Sequence, residues 1–198
     1  MSMVILGPLC TWWRGDPLPV LPPFQGFRVE PGRDEWLERI GGYAPEELAR
    51  RRNEGHRPYV ALVGREPVAY GWVATQRAEI GALALAFLVP PGERYLWDFF
   101  TLPEWRGRGI YPRLLQAILE LENEAERFWI GYDAPNAASA RGIAKAGFRA
   151  VVEIVRLADG RLALVPVGPA ERVAAAARLL GLPVVPTATG GDATSEQR

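Results

Sequence analysis

Cysteine, histidine and lysine each occur once in this 198-residue chain, as Cys10, His56 and Lys145. A single cysteine excludes an internal disulfide and suits a reducing, cytoplasmic setting. No metal site is expected. Net charge is also missing: 23 basic residues balance 23 acidic ones. That balance argues against a general nucleic-acid binder or a protein held on anionic membranes. No run approaches the roughly 18 apolar residues that a membrane span requires. The N-terminal "MSMVILGPLC" has no basic lead and is broken by Gly7-Pro8, so it does not read as a secretory signal. Because Lys145 is the only lysine, almost all positive charge is arginine, which we ascribe to a GC-rich genome.

What is present is an ordinary globular composition, 48% hydrophobic and 23% charged, long enough for one domain with a sizeable core. Residues 1–26, rich in Pro and Trp, read as an extended lead-in without clear period. Within it Trp12 and Trp13 either cover a sheet edge or form an interface, which leaves a homodimer open. "FRVEP" is a short strand, and "GRDEWLERIGG" and "APEELARRRNEG" are short helices. "YVALVGREPVAYGWVAT" predicts a hairpin turning at "GREP". "GALALAFLVPPGE" adds a further strand. "RYLWDFFTL" is apolar on both faces and predicts a strand in the middle of the sheet. A helix to about Glu124 follows, its Leu114, Leu115, Ile118, Leu119 and Leu121 forming one apolar stripe. Then come a strand, "RFWIGY"; a helix, "NAASARGIAKAG"; and a hairpin turning at Asp159-Gly160. The terminal helix "PAERVAAAARLLG" opens a C-terminal extension over 169–186, and 187–198 predict a disordered tail.

The most informative stretch is "PEWRGRGIYPRLL", at the junction of the aromatic strand and the helix after it. The first N–H groups of a helix lack partners and carry the positive end of its dipole. Gly107 and Gly109 would let the backbone approach a bulky diphosphate, and Arg106 and Arg108 add charged donors. A tight turn with solvated arginines is the alternative. A nucleotide P-loop is excluded, because GxxxxGK[ST] needs a lysine and the only one lies at 145. The dinucleotide fingerprint GxGxxG fails as well, since Pro112 stands where its third glycine belongs.

"FFTLPEWRGRGIYPRLL" resembles the acetyl-CoA-binding motif, (Q/R)xxGx(G/A), of the GCN5-related N-acetyltransferase (GNAT) superfamily. About 30 residues on, "NAASARGIAKAGF" resembles that family's next helix and its closing Gly-Phe. The resemblance implies a mixed α/β fold, a splayed central sheet flanked by helices, with the acyl-transfer domain over 27–168. It also implies acetyl-CoA as acyl donor, wedged between "RYLWDFFTL" and "RFWIGY". Phe99, Phe100 and Thr101 would bind its pantetheine amides. One N–H there would polarise the thioester carbonyl, a contribution typically worth about 3 kcal/mol. Arg106, Gly107, Arg108, Gly109, Ile110 and Tyr111 would hold the diphosphate. Asn136 would sit beside the cofactor, or simply cap the following helix. Two departures stand out: Glu104 replaces the motif's Gln or Arg, and Ile143 replaces a proton-donating tyrosine.

The implied reaction needs a neutral acceptor amine, whose pKa when free is about 10.4. Asp98, Glu79 and Glu93 are candidate bases, with deprotonation through water as the alternative. Strand alternation would turn Asp98 away from both Trp97 and Phe99. Tyr132 and Ser139 are hydroxyls that could protonate the leaving thiolate in place of residue 143. His56, in the polar "NEGHRPY", reads as solvated surface. The aromatics Tyr70, Trp72, Tyr95, Trp97, Phe99 and Phe100 read mainly as core. An N-acetyltransferase acting on a small-molecule or peptide amine is therefore expected. A non-catalytic acyl-CoA-binding module is the alternative, and an aminoacyl transferase of cell-wall precursors fits less well because it usually needs two such domains.

Overall fold

The computed structural model describes residues 3–186; the tail expected over 187–198 lies outside the described residues. The first element among the described residues is a strand, β1 (Met3–Trp13), followed by β2 (Phe27–Pro31). Two short helices, α1 (Asp34–Gly41) and α2 (Pro45–Asn53), lead to the hairpin β3 (His56–Val63) and β4 (Glu66–Ala74). A small hairpin, β5 (Arg77–Ile80) and β6 (Leu85–Leu88), precedes β7 (Glu93–Thr101). Then come α3 (Ile110–Leu121), β8 (Arg127–Gly131), α4 (Ala137–Lys145), β9 (Arg149–Leu157), β10 (Leu162–Pro166) and α5 (Ala170–Leu180).

Eight strands form one sheet in the order β10-β9-β1-β8-β7-β4-β3-β2, and β5–β6 stand apart as a second sheet. Every neighbouring pair in the large sheet is antiparallel except β7 and β8. One face is covered by α3 and α4, around Leu114, Leu115, Ile118, Phe128 and Ile143. On the other face, α1 and α2 cover Val60, Leu62 and Trp72, while α5 covers Leu9, Trp129 and Val152. Both faces bury a core, which is why β7 and β8 show no simple alternation of polar and apolar residues.

The lead-in expected over 1–26 is the main correction. Its first half is a strand inside the sheet, paired with β8 on one side and β9 on the other. It did not read as one because register shifts between Ile5 and Gly7 and between Leu9 and Cys10 break the period. Trp12 is buried against Phe128, and Trp13 is flanked by the guanidinium groups of Arg127 and Arg172. Nor does the boundary at 168/169 separate one core from another, since α5 shares its cluster with β1, β8 and β9.

Three smaller corrections follow from local chemistry. His56 is buried at the start of β3, edge-on to Trp97 at 5.0 Å between ring centroids. In the segment 81–92 a single 3-10 turn over Gly81–Leu83 shortens the strand to β6, whose Phe87 meets Tyr95 edge-on at 5.1 Å. Helix α3 stops at Leu121 rather than near Glu124. Glu122 there turns inward to Arg94, Arg57 and Tyr59, and Arg14 donates to the carbonyls of Leu119, Glu122 and Ala125. These bonds satisfy carbonyls that the end of a helix leaves free.

Candidate acyl-donor groove

The two parallel strands pair only from Glu93↔Arg127 to Leu96↔Ile130. Beyond Leu96 the ladder stops and β7 continues for five residues to Thr101, with its β8-facing edge outside the ladder. Backbone groups on such an edge can pair with an extended amide chain, as they would with another strand. Opposite Gly71, two residues of β7, Asp98 and Phe99, stand against one of β4, a bulge with Asp98 at φ +50. The Phe99 ring leans over Gly71, where any Cβ would lie 2.0 Å from it. Glycine at 71 is thus what lets Phe99 point toward the α3 face.

After β7 the chain turns through Pro103–Trp105 and reaches Gly107 and Gly109, at φ +75 and +74. Both values lie in the left-handed region that glycine enters without a Cβ penalty. Gly109 is the N-cap of α3 and supplies no side-chain cap, so the first amides of the helix are left for an external acceptor. Arg106 donates to the Thr101 carbonyl at 3.0 Å, and Arg108 stacks over Trp105. Arg113 holds the far side of the loop, donating to the carbonyls of Gly109 and Pro22.

These features surround one open groove of about 590 Å³. It brings together Phe99, Phe100, Thr101, Arg106, Gly107, Gly109, Ile110, Tyr111, Asn136 and Ser139 from the expected set. Asn136 serves as the cap of α4 as well, accepting from the Ser139 amide at 3.0 Å. Trp105, Arg141, Gly142 and Lys145 also line the groove and were not foreseen. A spacing of four on α4 carries Arg141 and Lys145 to the same side, a signal the sequence did contain. Gly142 was harder to foresee: it gives room for the Tyr111 ring, which lies where a Cβ would stand.

Three expected residues lie elsewhere. Arg108 packs on Trp105 at the groove's edge. Tyr132 follows the end of β8 among residues packed on the α3 side, and burial pushes its phenol up. Asp98 points to the opposite face. There its Oδ2 accepts from Tyr43 and Arg51, each at 2.5 Å. The same Arg51 lies against Trp97 at 4.5 Å, so Trp97 and Asp98 share a face, contrary to simple alternation. The bulge is the cause, because it adds a residue to β7 and shifts the pleat. Of the other acids, Glu93 accepts from Trp129 and Arg127, and Glu79 is exposed on the separate β5–β6 hairpin. Ile143 is 1% exposed within the α3–α4 core and cannot donate a proton.

A mixed sheet opened between two parallel strands, with a glycine-arginine loop at an uncapped helix, defines an α/β protein built to hold an extended, phosphate-bearing ligand. The chain belongs to the acetyltransferase (GNAT) family, whose sequence profile matches residues 20–148. That family uses acetyl-CoA. Among solved structures, a GNAT-family acetyltransferase from Colwellia psychrerythraea has 14% identity and a TM-score of 0.52. The match covers 78% of this chain and 56% of that one. A GCN5-related N-acetyltransferase from Sphaerobacter thermophilus has 16% identity and a TM-score of 0.52, over 75% and 50% of the two chains. The chain thus spans about half the length of these two structures, and the likeness is one of fold. No curated protein matches it in sequence.

Proposed function

We propose that this protein transfers an acetyl group from acetyl-CoA to a primary amine of a small molecule or peptide. The observation that carries the reading is the convergence on one groove of the free β7 edge, the Arg106–Gly109 loop and the uncapped start of α3. The first of these suits the amides of a pantetheine arm, and the other two suit a diphosphate. In the reaction, the amine nitrogen bonds to the thioester carbonyl carbon, the C–S bond breaks, and CoA leaves as a thiolate.

The residues divide the work by position. Backbone N–H groups at Phe99 to Thr101 stabilise the developing oxyanion, while Arg106 and the loop amides anchor the diphosphate. Asp98 is not assigned as base, because its carboxylate is bound to Arg51 and Tyr43 across the α1–α2 layer. Water at the groove carries the amine's proton away instead. The departing thiolate takes a proton from a hydroxyl of the groove lining, Ser139 or Tyr111. An ordinary thiol of pKa about 8.5 lies only ~1.5 units above neutrality, about 2 kcal/mol, so the apolar Ile143 slows turnover without abolishing it.

Thermal unfolding tests the donor. At 100 times the dissociation constant, acetyl-CoA should add about 2.7 kcal/mol of stability and raise Tm by about 5–10 °C. ATP and NAD should leave Tm unchanged. Release of free thiol from acetyl-CoA with a panel of amines then tests turnover. Binding without release from any amine would favour the non-catalytic acyl-CoA-binding module, and a shift with ATP alone would remove the reading altogether.

A further inference from the structure

On this acyl-CoA reading, one group of cations in the groove is still without a task. The lining contains Arg106, Arg141 and Lys145 and no carboxylate, in a chain whose formal net charge is zero. Arg106 is turned toward the loop by its bond to the Thr101 carbonyl. Arg141 and Lys145 are different. They stand one turn apart on α4, both exposed, and among the described residues neither belongs to an ion pair. Between them Gly142 closes on Tyr111, in the first turn of α3, so the pair lies beside the helix start that would receive the diphosphate. Helix α4 itself carries no acidic side chain to neutralise them.

A diphosphate already meets the amides of α3 and the arginines of the loop. CoA carries one more phosphate, on the ribose 3′-oxygen, with about two negative charges at neutral pH. We propose that Arg141 and Lys145 form a second anion subsite that takes this 3′-phosphate. It makes the protein selective for acetyl-CoA over donors that lack that group. Lys145, the only lysine, serves as a compact point charge, while Arg141 can present two parallel N–H donors to phosphate oxygens. Both sit at the exposed rim, so their contribution falls as salt rises.

The test compares acetyl-CoA with acetyl-3′-dephospho-CoA by calorimetry, on the full chain at low salt. The unaltered protein should bind acetyl-CoA about 10- to 100-fold more tightly, the range for one or two charged hydrogen bonds at an exposed site. Added salt should narrow that gap. In the double variant Arg141→Gln/Lys145→Gln, which changes only exposed side chains, discrimination should drop to within about threefold. Its affinity for the dephospho donor should be preserved. Equal affinity of the unaltered protein for both donors overturns the subsite but leaves the acetyl-CoA reading standing. Undiminished discrimination in the double variant also overturns it. Failure to bind either donor removes the reading and this subsite together.

Discussion

Cys10 sits on β1 facing α3, 3% exposed, and burial with the neighbouring charge of Glu153 pushes its thiol up to about 12. A thiolate is the reactive form, so the native protein should resist thiol reagents. One equivalent should react promptly in denaturant, and in buffer at pH 8 only as fast as the protein opens. Rapid stoichiometric labelling of the native chain would mean that β1 is not held in the sheet. The same scale shows what a sequence conceals. Arg106, Gly107 and Gly109 were legible because their chemistry is local to a turn and a helix start. The setting of Asp98 was not. Its direction depends on a bulge at φ +50, and its partners Tyr43 and Arg51 come from a loop and helix about 50 residues earlier. Alternation along one strand contains neither fact.

Among the elements, β1 distinguishes an appended lead-in from an integral strand most sharply. It buries Leu9, Cys10 and Trp12, and the Thr11 hydroxyl donates to the Phe128 carbonyl at 2.8 Å. Removing residues 1–13 would leave facing edges of β8 and β9 unpaired in mid-sheet. Full burial of each large apolar side chain contributes about 1.5–3 kcal/mol, against a total stability of about 5–15 kcal/mol. The shortened chain should therefore fail to fold, losing its cooperative thermal transition and near-ultraviolet circular dichroism. A chain starting near residue 14 that melts cooperatively and binds acetyl-CoA would restore the lead-in reading. A point change, Gly7→Ala, should weaken the same strand, since its Cβ would fall 2.0 Å from the Tyr132 carbonyl oxygen. Elements with a clean period or firm turn signals were legible: α1, α2, the β3–β4 hairpin, α4, β9–β10 and α5. β1 was obscure because Gly7-Pro8 and two register shifts erase the pattern that sequence reading relies on.

Over the whole molecule, buried ionisable groups tie distant elements together and set the pH dependence of stability. Burial pushes Glu122 up, but hydrogen bonds from Arg94 and Tyr59, with the charges of Arg94 and Arg57, outweigh it. Its folded-state pKa is therefore held below the usual 4.5. Asp16, bonded by Arg172, is lowered likewise. Groups lowered on folding stabilise above their unfolded pKa, and that stability is lost as pH falls toward the folded value. His56 obeys the same sign for another reason: burial beside Trp97 lowers it from 6.5, so protonation opposes the fold. Glu153 runs the other way, since burial raises it and its effect destabilises as pH rises above 4.5. Two windows result. Tm should begin to fall below about pH 6.5 through His56, and fall again through Glu122 below about 4.5, with Asp16 adding below about 3.8. His56→Phe keeps an aromatic ring against Trp97 and removes the titrating group. The variant should lose the upper part of the decline and keep the lower. Glu122→Gln should cost about 3–5 kcal/mol at pH 7, because it leaves the buried Arg94 without its ion-pair partner. Calorimetric melts of the three proteins from pH 3 to 8 decide the assignment. If wild type and His56→Phe decline in parallel between pH 6.5 and 5, the histidine is not the upper switch and its burial carries no such cost.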